Sequence, residues 1–296
     1  MSETTLSTGP AAGPGFSPAD RYRDIAVHLD GSPEDETRLA HAEALAVSFQ
    51  ARLTGIFVNP LPDPAVYVGD FGMLAVDDLR DAVIENGNAT EPRLQERLAR
   101  LAPPHELRRI DASPGMLEEA VASEARWNDL FVATCPRGRD NARWSAMVES
   151  VMFNGGRGLF LVPPQAPLRS VIRTVLVAWV DNRQSARAVA EALPFLRQAG
   201  QVHVVTVSEK AHGRMGGAEA LADITAHLVR HGVEATATVL GTEASPADGL
   251  LAEAGRVGAD LIVAGAYGHS RFREWILGGV TEDLLANSPL PLLVAH

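Results

Sequence analysis

The sequence predicts an α/β protein built from two doubly wound, parallel-sheet domains in tandem, related by a pseudo-twofold axis. Its 296 residues are enough for two domains of ordinary size. Short apolar strands alternate with amphipathic helical stretches, which favours parallel sheets with helices on both faces. The same order of elements occurs twice along the chain, and such a repeat indicates that one structural unit is used twice.

Each copy begins with a buried strand that runs into a polar turn. Residues 24–29 are followed by Asp30-Gly31-Ser32, and residues 174–179 are followed by Asp181-Asn182. A helix and a second apolar strand come next in both copies, which is the order expected of a parallel sheet. The predicted helices are 36–50 and 185–199, and the predicted second strands are 53–58 and 202–207.

The repeat is closest near the end of each copy. Residues 115–133 match residues 247–264 as a helix, an aspartate and an apolar strand, with Asp129 aligned on Asp260. Because an exposed apolar edge strand is a liability, we expect the closing strands of the two copies to lie near each other. The predicted closing strands are 159–162 and 290–294.

A proline-rich joint separates the two copies. The run Pro163-Pro164-Gln165-Ala166-Pro167 is stiff and favours a boundary between domains at 21–164 and 165–296. Residues 1–20 are rich in Gly, Pro, Ser and Thr and are predicted to be a disordered lead-in. The first copy is longer because of residues 59–87, interpreted either as a loop of variable length or as an apolar cover for a site or subunit interface.

Composition and charge argue against several classes of function. A net charge of −11 disfavours a nucleic-acid partner, since binding to phosphates requires excess Lys and Arg. The single cysteine, Cys135, and the lack of a long apolar run favour a cytoplasmic protein without a membrane partner. The sequence contains no zinc-type histidine motif, no Gly-x-Ser-x-Gly elbow and no Gly-Lys-Ser/Thr loop. We therefore assign no catalytic or metal-binding residue and expect no enzyme.

A glycine-rich segment follows the apolar strand 260–264. It reads Gly265-Ala266-Tyr267-Gly268, then nine residues, then Gly278-Gly279-Val280-Thr281 at the start of a helix. Glycines allow backbone N–H groups to approach an anion, and the dipole of the helix favours a phosphate there. Because open α/β sheets bind ligands at the carboxyl ends of their strands, the segment predicts a polyphosphate site. The alternative is a tight turn without a ligand.

This spacing resembles that of the universal stress protein family, whose nucleotide-binding members carry Gly-x2-Gly-x9-Gly followed by Ser or Thr. From residue 21 onward the chain is similar to a tandem, two-domain member of this family with Rossmann-like domains. Gly265, Gly268 and Gly278 match the spacing, whereas Gly279 stands at the hydroxyl position. The resemblance implies an adenine nucleotide, ATP with or without Mg²⁺, in the second copy. The missing hydroxyl removes a hydrogen bond of about 1.5–3 kcal/mol.

The resemblance also implies a pocket for the base and ribose, for which the family uses an Asp after the first strand and a Val after the second. In the second copy, Val180 stands at the Asp position and Val207 at the Val position. The full set of residues implied to contact the nucleotide is Val180, Val207, Ala264, Gly265, Gly268, Gly278, Gly279, Val280 and Thr281.

The first copy keeps a different part of the family's site. Asp30 and Val58 fit the base pocket, but Pro136 removes a backbone donor from the loop. Ala146-Met147 replace the paired glycines and bring Cβ atoms toward the phosphate position. We therefore expect the first copy to have lost its nucleotide.

The sequence leaves three functions open. The leading hypothesis is a stress-response protein that binds an adenine nucleotide and acts as a sensor or scaffold for an unidentified protein client. Such a protein would be a homo-oligomer or a self-contained pseudo-dimer. The second is a nucleotide-free interaction scaffold in which both sites have decayed. The third is a slow ATPase, for which no general base can be named.

Overall fold

Strands and helices alternate along the chain in the structure, a computed structural model that describes residues 21–63, 72–136, 144–208, 217–241, 245–266 and 279–296. The first half contains β1 (Asp24–Leu29), α1 (Glu34–Phe49), β2 (Arg52–Pro60), α2 (Gly72–Leu98), β3 (His105–Ala112), α3 (Met116–Ala125), β4 (Leu130–Thr134), α4 (Ser145–Asn154) and β5 (Gly158–Val162). The second half contains β6 (Thr174–Ala178), α5 (Arg183–Gln198), β7 (Gln201–Ser208), α6 (Gly217–Arg230), β8 (Thr236–Gly241), α7 (Pro246–Val257), β9 (Leu261–Gly265), α8 (Gly279–Asn287) and β10 (Leu292–Ala295).

The strands of the described residues form one ten-stranded sheet in the order β3-β2-β1-β4-β5-β10-β9-β6-β7-β8. Neighbouring strands within each half are parallel. The two halves meet where β5 and β10 pair antiparallel, with Phe160 opposite Leu293. The order of corresponding strands is the same when counted from either outer strand, β3 or β8, as a pseudo-twofold axis requires. The predicted α/β fold class is confirmed, and the closing strands are directly hydrogen-bonded into a single sheet.

Helices cover both faces of this sheet. Apolar residues of α1, α2, α5 and α6 belong to one core, and those of α3, α4, α7 and α8 belong to the other. Matching helices of the two halves therefore share a face, which places the pseudo-twofold axis perpendicular to the sheet. Every residue of β4 and β5 is buried, because these central strands are covered on both sides and consist almost entirely of apolar residues.

An aspartate shared by the repeat holds the start of the first strand in each half. Asp129 Oδ2 accepts hydrogen bonds from the backbone N–H groups of Arg23 and Asp24, at 2.7 and 3.2 Å. Asp260 Oδ2 accepts the equivalent pair before β6, at 2.9 and 3.1 Å. The aligned aspartates therefore have a structural role, since they satisfy donors that the sheet leaves unpaired.

Aromatic side chains join the two halves on the face covered by α1 and α5. Phe49 and Phe195 meet edge to face with ring centroids 5.1 Å apart, and Tyr22 packs on them at 4.9 and 5.4 Å, respectively. The Tyr22 hydroxyl donates to the backbone carbonyl of Glu191 at 2.5 Å. Each such ring pair contributes about 0.5–1.5 kcal/mol beyond its burial. The halves thus share an apolar core as well as a sheet.

The described part of residues 59–87 is largely helical. α2 begins at Gly72, so the interpretation of this part as a loop is wrong; residues 64–71 lie outside the described ranges. Gly87 packs closely on the ends of the Arg109 and Asn59 side chains, which a Cβ there would displace. α2 is long but polar, and none of the helices described here is both long and apolar enough to cross a membrane.

Candidate functional site

The candidate site of the second half lies where adjacent parallel strands end at one edge of the sheet. β6 lies between β9 and β7. Gly265 ends β9, Val207 is the penultimate residue of β7, and Val180 follows β6 by two residues. The structure therefore brings these three residues to the same edge, which is the edge where doubly wound sheets bind ligands.

The start of α8 is anchored at this edge by Thr281. The Thr281 hydroxyl donates to the backbone carbonyl of Gly265 at 3.2 Å, and Thr281 is 8% exposed. Its hydroxyl is therefore used within the fold, and what it can offer a ligand is its backbone N–H. The first backbone N–H groups of α8 have no acceptor within the helix and are suited to an anion. Gly268 and Gly278 lie outside the described residues.

Gly265 is required by packing against the start of α5. A Cβ at this position would lie 2.5 Å from the backbone nitrogen of Ser185 and 2.7 Å from the carbonyl carbon of Gln184. These are backbone atoms, which cannot move aside as a flexible side chain can. The glycine is thus explained by the close approach of β9 and α5 without reference to a ligand.

Gly279, by contrast, has room around it among the described residues. None of their heavy atoms lies within 4 Å of the place where its Cβ would be. Val280 is half-buried and packs on the core beneath the helix. Glu282 is exposed in the first turn of α8, where its carboxylate competes with any anion for the helix dipole. The helix start therefore offers room and donors for an anion, with one opposing charge.

The residues predicted to contact the base differ in exposure. Val180 is 59% exposed, and its N–H donates to Ser185 Oγ at 3.3 Å. Ala264 is buried and Val207 is half-buried, and both side chains pack in the core under the edge. Of these three side chains, only that of Val180 offers a large apolar surface to a ligand.

Buried side chains that are linked by hydrogen bonds occupy the matching edge of the first half. We call them the Arg38 cluster, which consists of Asp30, Ser32, Asp35, Arg38, Thr134 and Trp144. The Arg38 guanidinium donates to Asp30 Oδ1 at 2.6 Å and to Thr134 Oγ1 at 3.0 Å, and it also pairs with Asp35. Trp144 Nε1 donates to the other Asp30 oxygen at 2.9 Å. The aspartate that the resemblance assigns to a nucleotide is held here by protein side chains.

One arginine faces two carboxylates, and their pKa values move in opposite directions. Burial alone would raise the pKa of Asp30, but the charges of Arg38 and His28 and the hydrogen bonds from Ser32 hold it well below its usual range. Burial raises the pKa of Asp35 to about 6, because the attraction of Arg38 does not offset the loss of hydration. Arg38 therefore stabilises the charge of Asp30 fully and that of Asp35 only in part.

Trp144 closes the Arg38 cluster from the side of α4. It is 4% exposed, and its ring meets the buried His28 ring edge to face at a centroid distance of 4.4 Å. The space beside Asp30 is therefore taken by a tryptophan and an arginine. The loss of a nucleotide from the first half stays a prediction.

The second half has small or uncharged residues at the matching positions. The N–H of Asp30 bonds to Asp35 just as the N–H of Val180 bonds to Ser185, so these pairs correspond. In the same alignment Arg38 corresponds to Ala188. The second half thus has valine, serine and alanine where the first half has two carboxylates and an arginine.

The sequence patterns point to Pro136 and Ala146-Met147 as the changes in the first half, and they miss Arg38 and Trp144. The sequence does contain a pattern that indicates an ion pair, because Asp35 and Arg38 are spaced i, i+3 on the helix that follows Asp30. A helical ion pair of this spacing is ordinarily solvent-exposed, and its burial becomes evident only in the structure.

The strand order and the candidate site at the carboxyl ends of the strands are those of a tandem, doubly wound α/β protein. Residues 172–296 match the model of the Universal stress protein family. Over 52 residues the chain is 38% identical to stress response protein NhaX of Bacillus subtilis (strain 168); this region is 18% of the chain and 31% of that relative's length. The family predicted from the sequence is confirmed for the second half: residues 172–296 belong to the universal stress protein family.

Solved structures extend the likeness in fold to nearly the whole chain. A universal stress protein from Archaeoglobus fulgidus DSM 4304 superposes with a TM-score of 0.70 at 16% identity, covering 92% of this chain and 95% of that one. A putative universal stress protein from Pseudomonas aeruginosa UCBPP-PA14 gives a TM-score of 0.58 at 13% identity, covering 93% of each chain. At these identities the likeness shows the fold alone.

Proposed function

We propose that this protein serves in a stress response and binds one adenine nucleotide, ATP with or without Mg²⁺, in its second half. In this proposal the bound nucleotide stabilises one conformation, so that the protein acts as a sensor or scaffold. The family match of residues 172–296 and the named role of the relative from Bacillus subtilis support the stress-response part.

The observation that carries the nucleotide part is the difference between two corresponding edges. In the first half, Arg38 and Trp144 fill the space beside Asp30. In the second half Ala188 stands in place of Arg38, and no described residue lies within 4 Å of where a Cβ of Gly279 would be. The phosphates would be bound by the N–H groups at the start of α8, and the base would lie beside Val180.

Calorimetric titration with ATP tests this proposal on wild type, Gly279→Val and Gly279→Ser. A valine side chain would enter the space of the phosphates, and the loss of two charge-assisted bonds predicts affinity weaker by about 10²-fold or more. A serine would add a hydroxyl and start the helix well, so affinity should rise by about tenfold. Gly255→Val is the matched control, because a Cβ at Gly255 of α7 would also have no described heavy atom within 4 Å.

Incubation with labelled ATP separates the three functions. Retention of intact ATP supports the proposed sensor, whereas release of ADP would replace it with the slow ATPase. If wild type binds no ATP and Gly279→Ser gains none, the β9–α8 edge is a structural turn, and the nucleotide-free scaffold replaces this proposal.

A further inference from the structure

A cleft of about 220 Å³ lies between the two halves, lined by residues that are distinct from those of the candidate nucleotide site. The first half contributes residues that precede β1, β4 and β5, and the second half contributes the carboxyl-terminal part of α5. Arg21, Arg157 and Arg197 line it, together with Asp129 and Glu191. An acidic protein therefore places three arginines around one small space between its halves.

The two carboxylates of the cleft are already engaged. Asp129 accepts the backbone N–H groups at the start of β1, as described above. Glu191 accepts the N–H of Gly158 at 3.0 Å and pairs with Arg187 at 2.6 Å. Their negative charge is therefore largely directed at other partners, and the cleft retains positive charge from its arginines.

Two of the arginines have unused donors. Arg157 is exposed, and within the described residues it forms no hydrogen bond or ion pair. Arg21 donates to Gln50 from one end of its guanidinium, but its buried Nε has no acceptor among the described residues. Both arginines line the cleft, and their guanidinium groups are suited to bind a phosphate there.

The cleft also contains an acceptor. Pro194 lies inside α5 and has no N–H, so the carbonyl of Ala190 lacks its usual helical donor. Both residues line the cleft. A ligand that carries a hydroxyl beside its anionic group would meet both kinds of unused group.

The fold itself does not require these arginines. In the repeat, Asp24 corresponds to Thr174, so Arg21 corresponds to Val171. The strand registers make Arg157 correspond to Leu290. The second half therefore has apolar residues where the first half has the two arginines with unused donors.

We propose that this cleft binds a small phosphate monoester that carries a hydroxyl group. The phosphate lies between Arg21 and Arg157, and the hydroxyl donates to the carbonyl of Ala190. Because the ligand contacts both halves, its binding stabilises their association.

Unfolding midpoints measured at fixed ionic strength, with sodium chloride replaced by inorganic phosphate or glycerol 3-phosphate, test the proposal. Both probes should raise the midpoint of wild type in a saturable manner, glycerol 3-phosphate at lower concentration, and glycerol alone should not. In Arg157→Gln the apparent Kd should rise about tenfold or more, because a charge-assisted bond is lost. Arg157 is exposed and makes no hydrogen bond or ion pair among the described residues, so this variant should fold normally.

Arg93→Gln is the matched control, because Arg93 is an exposed arginine of α2 outside the cleft. Its Kd should stay within about twofold of wild type. Equal shifts in wild type, Arg157→Gln and Arg93→Gln would overturn the proposal, since the phosphate would then act elsewhere, including at α8. The absence of any saturable shift with either probe would overturn it as well.

Discussion

Replacing Arg38 by methionine should destabilise the protein far more than an ordinary charge deletion. The side chains of Arg38, Asp30 and Asp35 are only 1%, 3% and 6% exposed. Methionine keeps much of the volume but leaves two buried carboxylates without their cation. The removal of one partner from such a group lowers the free energy of unfolding by about 3–5 kcal/mol.

The assay is urea unfolding followed by circular dichroism, with the midpoint and slope compared between variants. Arg52→Met is the control, because its ion pair with Glu106 lies at the surface and should contribute less than about 1 kcal/mol. Adding Asp30→Asn and Asp35→Asn to Arg38→Met removes the uncompensated charges and should restore more than half of the loss. A loss in Arg38→Met no larger than that in Arg52→Met would refute the reasoning, as would a triple variant no more stable than the single one.

Two further predictions follow from the same edge regions. The folded-state pKa of Asp35, about 6, lies above its unfolded value, so the folded protein binds the extra proton and stability should rise by about 1 kcal/mol between pH 7 and pH 5. Asp30 has the opposite shift and loses its contribution only below about pH 4. The difference between wild type and Asp35→Asn in urea midpoints at the two pH values isolates the Asp35 effect; an identical pH response would contradict it. Gly265→Ala should lose about 1–3 kcal/mol in the same assay, because its Cβ meets backbone atoms of α5; an unchanged midpoint would show that α5 can shift freely.

The sequence predicts the sheet well because the repeat is carried by buried strands. Continuous apolar runs such as Leu130–Thr134 have few alternatives to a central parallel strand, and the shared aspartates fix the alignment of the halves. α2 is not predicted, because its Gly72, Gly87 and Pro92 resemble loop residues. In the structure this helix packs against β2 and β3, which are contacts that the sequence pattern does not reveal.

Nucleotide binding at the β9–α8 edge stays a prediction, but part of its structural setting is predictable. The glycine spacing places Gly265 at the end of β9 and Gly279 at the start of α8, as the structure has them. It does not show that Gly265 accommodates α5 or that Thr281 uses its hydroxyl on a backbone carbonyl, because both depend on contacts between elements distant in sequence. The Arg38 cluster is missed for the same reason.

The antiparallel junction of β5 with β10 lies within a single polypeptide. In a homodimer of identical chains, every substitution appears on both sides of the axis. A change that closes one cavity therefore closes the symmetry-related cavity as well. Here the two sides are encoded separately. An arginine and a tryptophan can therefore seal one edge while the other keeps a glycine, and basic residues can collect on one side of the axis where the other has valine and leucine. The covalent link also makes the pairing of the halves independent of protein concentration, so dilution cannot separate them.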